Sequence, residues 1–448
     1  MEEINEKKPK EEMSYKETMD YIDSLLVYGS VPGLTNIINL CEKLGNPQDC
    51  LKFVHIAGTN GKGSLLCFTS TILKEAGYKV GRFLSPELFE YREKIQINGR
   101  MISKKDLCSY MTKMKILCEQ LVEEGKPHPT LFEIETALAF LYFKEKKCDI
   151  VVLETGMGGE LDATNIIKNA LVAAFVSISF DHMAYLGDSI EKIAGAKAGI
   201  LKQGCTAVTI QQTPEVMAVL IDRCREKDIE LIVAEPARTV HVKSRVESQK
   251  FTYKGVKDIS ICLPGRYQID NAVLAVEVIK ALERQGYSIP EKALYQGFAK
   301  AVWPGRFELI CKKPVFIADG AHNRDAAVRL ADSIGFYFTN RRIIYIMGIL
   351  RDKEQEEIIK ATCSYADQIL TVPTKGPRGL SSYELACQVC RFHHNVTALD
   401  SIEEAVELSF LLADKDTVII AFGSLSYLGH LIRTVANRNE LRSDLHGK

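Results

Sequence analysis

Seven residues, Gly58-Thr59-Asn60-Gly61-Lys62-Gly63-Ser64, follow the short apolar run Phe53-Val54-His55-Ile56-Ala57 and lead into a helix-like stretch from Lys62 to Ala76. A loop there can cradle phosphate. Glycines let successive backbone N–H groups turn inward, the helix N-terminus adds partial positive charge, and Lys62 and Ser64 can reach a phosphate oxygen and Mg2+. The spacing is not the literal G-x-x-x-x-G-K-[ST], because Gly63 falls between the lysine and the serine. Taken alone, the loop could also be a glycine-rich turn with no ligand.

Glu154 closes the apolar run Asp149-Ile150-Val151-Val152-Leu153-Glu154. A carboxylate at a strand's C-terminal end beside a phosphate loop suits Mg2+, which prefers hard oxygen ligands and keeps several waters; a solvated strand end is the alternative. His182 emerges after another buried strand, Leu171 to Ile178, and by itself would be a structural hydrogen-bonder. Lys197, between alanines on a small-residue helix, would by itself be a solvated cation. The group Cys387, Cys390, His393 and His394 lacks the second half-site of a zinc centre. Its cysteines are i, i+3 neighbours, expected on an apolar helix face between Ser382 and Phe392.

The elements that must position these groups alternate. Ser14 and Glu17 form a capping box opening a helix with Met19, Ile22, Leu25 and Leu26 at helical spacing, ending near Gly29. A helix over Thr35–Leu44, the strand Phe53–Ala57, a strand over Lys79–Leu84, a hairpin turning at Asn98-Gly99 and helices from Ser103 and Thr130 follow. Strands alternating with helices predict a mostly parallel sheet. Thr239 to Leu263 changes to short alternating strands, a small antiparallel appendage, before a helix from about Gln268 to Leu282. Trp303-Pro304-Gly305-Arg306 interrupts the pattern. Strands near Val315, Ile343, Gln368, Val396 and Thr417 then alternate with helices. The expected architecture is α/β: a disordered tail over 1–13, a phosphate-loop domain over 14–300, a linker over 301–308 and a smaller doubly wound domain over 309–448.

With 448 residues, 46% hydrophobic and 26% charged, the chain fits neither a disordered nor a fibrous class. Its 57 basic and 58 acidic residues give a net charge of -1, so no global field draws it to nucleic acid or anionic lipid. The charged N-terminus lacks the apolar core of a signal peptide, and no stretch is long enough for a membrane span. The 13 cysteines show no paired spacing; Cys67, Cys108, Cys118 and Cys224 sit in apolar stretches as small hydrophobes. A monomer in a reducing cytoplasm is expected.

His55 to Ser64, Ser85-Pro86-Glu87-Leu88 with Tyr91 to Ile95, Phe132-Glu133, Leu161-Asp162-Ala163-Thr164-Asn165, Lys197 to Ile200, and Asp319-Gly320-Ala321-His322-Asn323 resemble the motifs of the folylpolyglutamate synthase and dihydrofolate synthase family of the Mur ligase superfamily. They occur in the family's order over nearly the whole chain.

The resemblance implies an ATP-dependent ligase that phosphorylates a substrate carboxylate to an acyl phosphate, which the amine of L-glutamate then attacks. The acceptor would be a reduced folate, extended at its γ-carboxylate, or dihydropteroate, as a second or sole activity. A cell-wall Mur ligase is disfavoured because only 57 residues precede Gly58. A non-catalytic nucleotide-binding protein leaves the second domain's nucleotide-contact motif unexplained.

By the same resemblance, Gly58, Thr59, Asn60, Gly61, Lys62, Gly63 and Ser64 would hold the triphosphate. Ser64 would bind a first Mg2+, with Ser85, Glu154 and His182 on a second. Lys197 matches a carbamylated lysine, Asn271 an adenine contact, Arg306 a phosphate contact and Asp319 a ribose contact. His322 and Asp162 match catalytic-cleft residues, while Gly33, Leu34, Thr130, Leu131, Phe132, Glu133, Leu161, Asp162 and Ala163 would line the pterin end. The chain departs from the family pattern at Glu160 (usually arginine), Ala196 (glutamate), Tyr267 (histidine) and Arg324 (proline).

Overall fold

The computed structural model describes residues 12–446, so most of the expected tail, 1–13, lies outside the described residues. Ser14 and Glu17 form the capping box, each side chain accepting from the other's main-chain N–H, at the start of the helix Tyr15–Ser24. A 3-10 turn, Leu25–Tyr28, continues it to Gly29.

The first sheet has eight strands: β1 (Phe53–Ala57), β2 (Val80–Phe83), β3 (Ile95–Ile97), β4 (Arg100–Met101), β5 (Ile150–Glu154), β6 (Ala170–Phe175), β7 (Thr206–Ile210) and β8 (Leu231–Ala234). Their order is β4-β3-β2-β5-β1-β6-β7-β8. The hairpin β3-β4 is an antiparallel edge, turning through positive φ at Asn98 and Gly99 as the sequence pair requires; the other six strands are parallel. β1 and β5 are buried throughout because helices cover both faces. Alternate β1 residues serve the two faces. Phe53 and Ala57 join the core beneath Thr35–Lys43, Lys104–Glu123 and Leu131–Glu145, while Val54 and Ile56 pack with Lys62–Glu75 and Tyr267–Arg284.

The expected antiparallel appendage is a three-stranded sheet of β9 (Thr239–Ser244), β10 (Gln249–Tyr253) and β11 (Val256–Ile261). Its Phe251, Tyr253 and Ile259 enter the same core as Tyr267–Arg284. The second large sheet contains β12 (Glu308–Lys312), β13 (Val315–Ala318), β14 (Arg342–Met347), β15 (Gln368–Thr371), β16 (Val396–Ala398) and β17 (Thr417–Phe422), ordered β12-β13-β17-β14-β15-β16. All neighbours are parallel except β12, an antiparallel edge strand absent from the sequence reading. Its Glu-Leu-Ile-Cys-Lys run is half-exposed and carries no strong apolar signal.

Cys67, Cys108, Cys118 and Cys224 are buried, as their apolar settings suggest. Cys387 and Cys390 are not: both are exposed, since the helix Ser382–Val389 buries Leu385, Ala386 and Val389 instead. Among the described residues no group of three or more His, Cys, Asp or Glu could hold a metal ion, and no helix is long and apolar enough to cross a membrane.

A polar chain ties β1 to the loop after β5. Thr164 Oγ1 donates to Asp162 Oδ1, so the proton between His55 Nε2 and Thr164 Oγ1 (2.8 Å) belongs to the imidazole. His55 Nδ1 is then a buried acceptor without a partner. Burial, and after it Lys202, pushes the imidazole pKa down from 6.5 to about 3. The unfolded chain therefore binds a proton more readily than the folded one. The stability contributed is fully present above pH 6.5 and is lost as the pH falls toward 3. Between pH 7 and 5 the wild type should lose about 2 kcal/mol more than His55→Gln, measured by urea unfolding; parallel losses in the two proteins would show that His55 is protonated in the fold.

Candidate active site between the two sheets

Four adjacent strands, β2, β5, β1 and β6, end on one side of the first sheet, and each delivers part of the site. The loop after β1 is the phosphate cradle. Gly58 has φ 144°, and a Cβ there would lie 2.2 Å from Val176 Cγ2; at Gly61, φ 104°, it would lie 2.4 Å from Asn271 Oδ1. Only glycine fits either position. Thr59 fixes the loop to the strand end next door, its N–H donating to Ser177 O (2.7 Å) and its hydroxyl to Ser179 O (3.0 Å). The indole of Trp303 lies against Gly63.

Two ammonium groups meet on the Gly58 carbonyl: Lys197 Nζ donates at 2.8 Å and Lys62 Nζ at 3.3 Å. Lys197 is only 3% exposed, contrary to the solvated position its alanine neighbours suggest. The helix Ile190–Ala198 packs under the loop and turns that face inward. Burial, then the like charge of Lys62, lowers its pKa from 10.5 to about 7.

Glu154 ends β5 beside Ile56 of β1. It is 5% exposed, and among the described residues no hydrogen-bond donor or ion pair reaches its carboxylate. Burial raises its pKa to about 7 against the weaker pull of Lys62 and Arg306. An orphaned buried carboxylate beside a phosphate loop, with the Ser64 and Ser85 hydroxyls on the same cavity wall, fits a divalent cation that takes few protein ligands and retains water. His182 follows β6 in the left-handed region, φ 53°, and lines the same wall.

The second sheet faces this edge with the carboxyl ends of its own strands. Asp319, after β13, accepts from Ala321 N (2.8 Å), Phe307 N (2.8 Å) and the Tyr267 hydroxyl (2.7 Å). Arg306 lies alongside and enters no salt bridge among the described residues. His322 Nδ1 is 2.8 Å from Gly320 O, which can only accept, so Nδ1 carries the proton and Nε2 offers a lone pair. Burial, followed by Lys353, lowers its pKa to about 4.

These groups line one cavity of about 970 Å³. It contains Gly58 to Ser64, Ser85, Glu154, His182, Lys197, Asn271, Arg306, Asp319 and His322 from the sequence reading. Of the residues assigned to the pterin end only Leu131 reaches it, joined by Met19, Ile22 and Leu26, which the sequence marked as helix core alone. Gly33, Leu34, Thr130, Phe132, Glu133, Leu161 and Ala163 lie outside its walls. Glu133 is spent on the capping box with Thr130 (2.7 and 2.8 Å), and Phe132 packs on Gly156. Asp162 also lies outside; its oxygens are occupied by Met157 N (2.8 Å), Thr164 N (3.0 Å) and the Thr164 hydroxyl, which makes it a brace for the loop. Asp181, Asn323 and Lys353 were not singled out by the sequence. Asn323 stands inside a quoted motif and Asp181 precedes His182 in the chain, whereas no local signal marks Lys353.

Residues 56–279 match the Mur ligase middle domain and residues 305–425 the glutamate ligase domain of Mur ligases. A dihydrofolate synthase/folylpolyglutamate synthase of Bacillus subtilis (strain 168) is 36% identical over 385 residues, 83% of this chain and 88% of that protein. The folylpolyglutamate synthase of Mycobacterium tuberculosis complexed with ADP superposes with a TM-score of 0.85 at 30% identity, covering 95% of this chain and 98% of that one. The Thermotoga maritima folylpolyglutamate synthase gives 0.82 at 34% identity, covering 95% and 97%.

Tyr267→Phe removes one donor from a buried carboxylate and should destabilise the protein by about 1–3 kcal/mol. Urea unfolding of the variant checks this, and a loss below about 0.3 kcal/mol would mean that Asp319 does not depend on the phenol.

Proposed function

The chain belongs to the folylpolyglutamate synthase and dihydrofolate synthase family of Mur ligases, and from that premise we propose that its cleft joins L-glutamate to the γ-carboxylate of a reduced folate at the expense of ATP. The observation that carries the reading is the Lys62 ammonium held on the Gly58 carbonyl of the phosphate loop, in one cavity with the unpaired Glu154. The cation calls for an anion, and the carboxylate calls for a cation. ATP with Mg2+ supplies both.

In the reaction a carboxylate oxygen of the acceptor displaces ADP from the γ-phosphorus, and the resulting acyl phosphate has the leaving group that a free carboxylate lacks. The glutamate nitrogen then attacks the acyl carbon, phosphate departs and the nitrogen loses a proton. Loop N–H groups and Lys62, swung from the Gly58 and Thr59 carbonyls onto phosphate oxygen, stabilise charge on the transferring group. Ser64, Ser85, Glu154 and His182 would hold Mg2+, which when bound neutralises phosphate charge. Asn271, Arg306 and Asp319 are the proposed nucleotide contacts from the chain's second half. His322, with a pKa of about 4, is a poor base for an ammonium group. Its Nε2 is better suited to orient the incoming amine as a hydrogen-bond acceptor.

The apolar side chains of Met19, Ile22, Leu26 and Leu131 suit the flat ring system of the acceptor. Glu160, where the family pattern has arginine, is exposed and lies outside the cavity. We assign residues 14–300 to the ATP-binding domain, 301–308 to the linker and 309–448 to the glutamate ligase domain, a division supported by the two matched stretches. A reducing, cytoplasmic setting is supported by the free state of all thirteen cysteines.

The test is glutamate-dependent ADP release with product mass spectrometry, offering tetrahydrofolate and dihydropteroate separately. Ligation of glutamate to tetrahydrofolate is expected. Product only with dihydropteroate would reassign the chain as a dihydrofolate synthase, and ADP release indifferent to both would overturn the reading.

Lys197 is also proposed to be carbamylated. With a pKa of about 7, half of its amine is neutral at that pH and able to add to CO2. The neutral nitrogen bonds to carbon and releases one proton, giving a carbamate anion; counted from the ammonium form, two protons are lost. Lys197→Ala should fold yet be nearly inactive, with partial recovery in acetate or formate. Near wild-type activity without added acid would sink the assignment.

A further inference from the structure

The two halves of the cleft are joined by side chains of which only Asn60, in the phosphate loop, has been given a part in the chemistry. Lys353, after β14, donates to Asp181 Oδ1 at 3.0 Å, and both side chains are nearly buried, at 11% and 13% exposed. Asn323 Oδ1 accepts from Ala326 N (2.9 Å) as a helix cap, which fixes the orientation of its amide. Asn323 Nδ2 therefore faces the first half and donates to Asn60 Oδ1 (3.1 Å) and Asp181 Oδ2 (3.3 Å). In return Asn60 Nδ2 donates to Asn323 Oδ1 (3.1 Å) and Asp325 Oδ2 (2.9 Å). The side chain of Asn60, in the middle of the phosphate loop, is thus spent on the other half of the molecule and leaves only its backbone to the nucleotide.

We propose that the Asp181–Lys353 ion pair and the Asn60–Asn323 amide pair form a clasp that holds the cleft shut while the activated carboxyl awaits the amine. This rests on the ligase reading above. Asp181, Lys353 and Asn323 are positioning residues. Their role follows from the intermediate: water can attack an acyl phosphate in place of the amine, returning carboxylate and phosphate, so that ATP and water give ADP, phosphate and a proton with no amide formed. A closed cleft excludes that water. A buried ion pair is also costly to break by removing one partner, which leaves an unpaired charge.

The test measures ADP and amide product together for the full chain, Asp181→Asn, Lys353→Met and the double variant, with saturating acceptor and varied glutamate. Wild type should release one ADP per amide. Each single variant should release several ADP per amide and show a glutamate KM raised about tenfold, with ADP release itself largely kept. The double variant should be no worse than the worse single, since both remove one interaction. A ratio of one in the single variants, loss of all ADP release, or losses that multiply in the double would overturn the clasp. If Lys353→Met melts well below wild type, Lys353→Gln takes its place with the same expectations. Absence of any ADP release in wild type would instead count against the ligase reading.

Discussion

One carbonyl oxygen organises this molecule. The Gly58 oxygen accepts from two lysine ammonium groups, one arriving from the helix that follows the loop and one from a helix 139 residues away in sequence. Burial, and after it the like charge of Lys62, lowers the pKa of Lys197. Gly58 must be glycine because Val176 closes on it, and the helix Ile190–Ala198 reaches the loop through the Lys197 side chain. The sheet order, with β5 and β6 flanking β1, then sets Glu154 and His182 to either side.

The charges of the site form a complementary set. Glu154 and Lys197 are both buried and both have pKa values brought to about 7 by the cost of desolvation, the acid from below and the base from above. Among the described residues neither enters a salt bridge. Across the cleft, Asp319 is satisfied by three donors and Asp162 by its own loop. Both carboxylates are thus held in place by hydrogen bonds, and the one proposed to hold a cation is left bare.

Much of this was legible in the sequence because it is local. Glycine spacing, a lysine and a serine at the head of a helix, and a carboxylate at a strand end state their positions within a few residues. The same holds for the capping box at Ser14. Lys197 was legible only by family resemblance, since its burial is decided by a helix packing under a distant loop. Asp162 was misleading in the opposite sense: a conspicuous acid in a motif, it turned out to brace the turn. Lys353 gave no signal because its partner lies 172 residues away. The half-exposed edge strand β12 was missed for lack of an apolar pattern, although the parallel strands it borders were found.

The position of Trp303 carries a further consequence. It is the chain's only tryptophan, and its indole rests against Gly63 of the phosphate loop at the crossing between the two halves. The tryptophan emission of the protein therefore originates at a single point, where the phosphate loop and the crossing segment adjoin. No label has to be attached, and no background from other indoles has to be subtracted: the molecule carries its own optical gauge at the place where both halves of its working cycle pass.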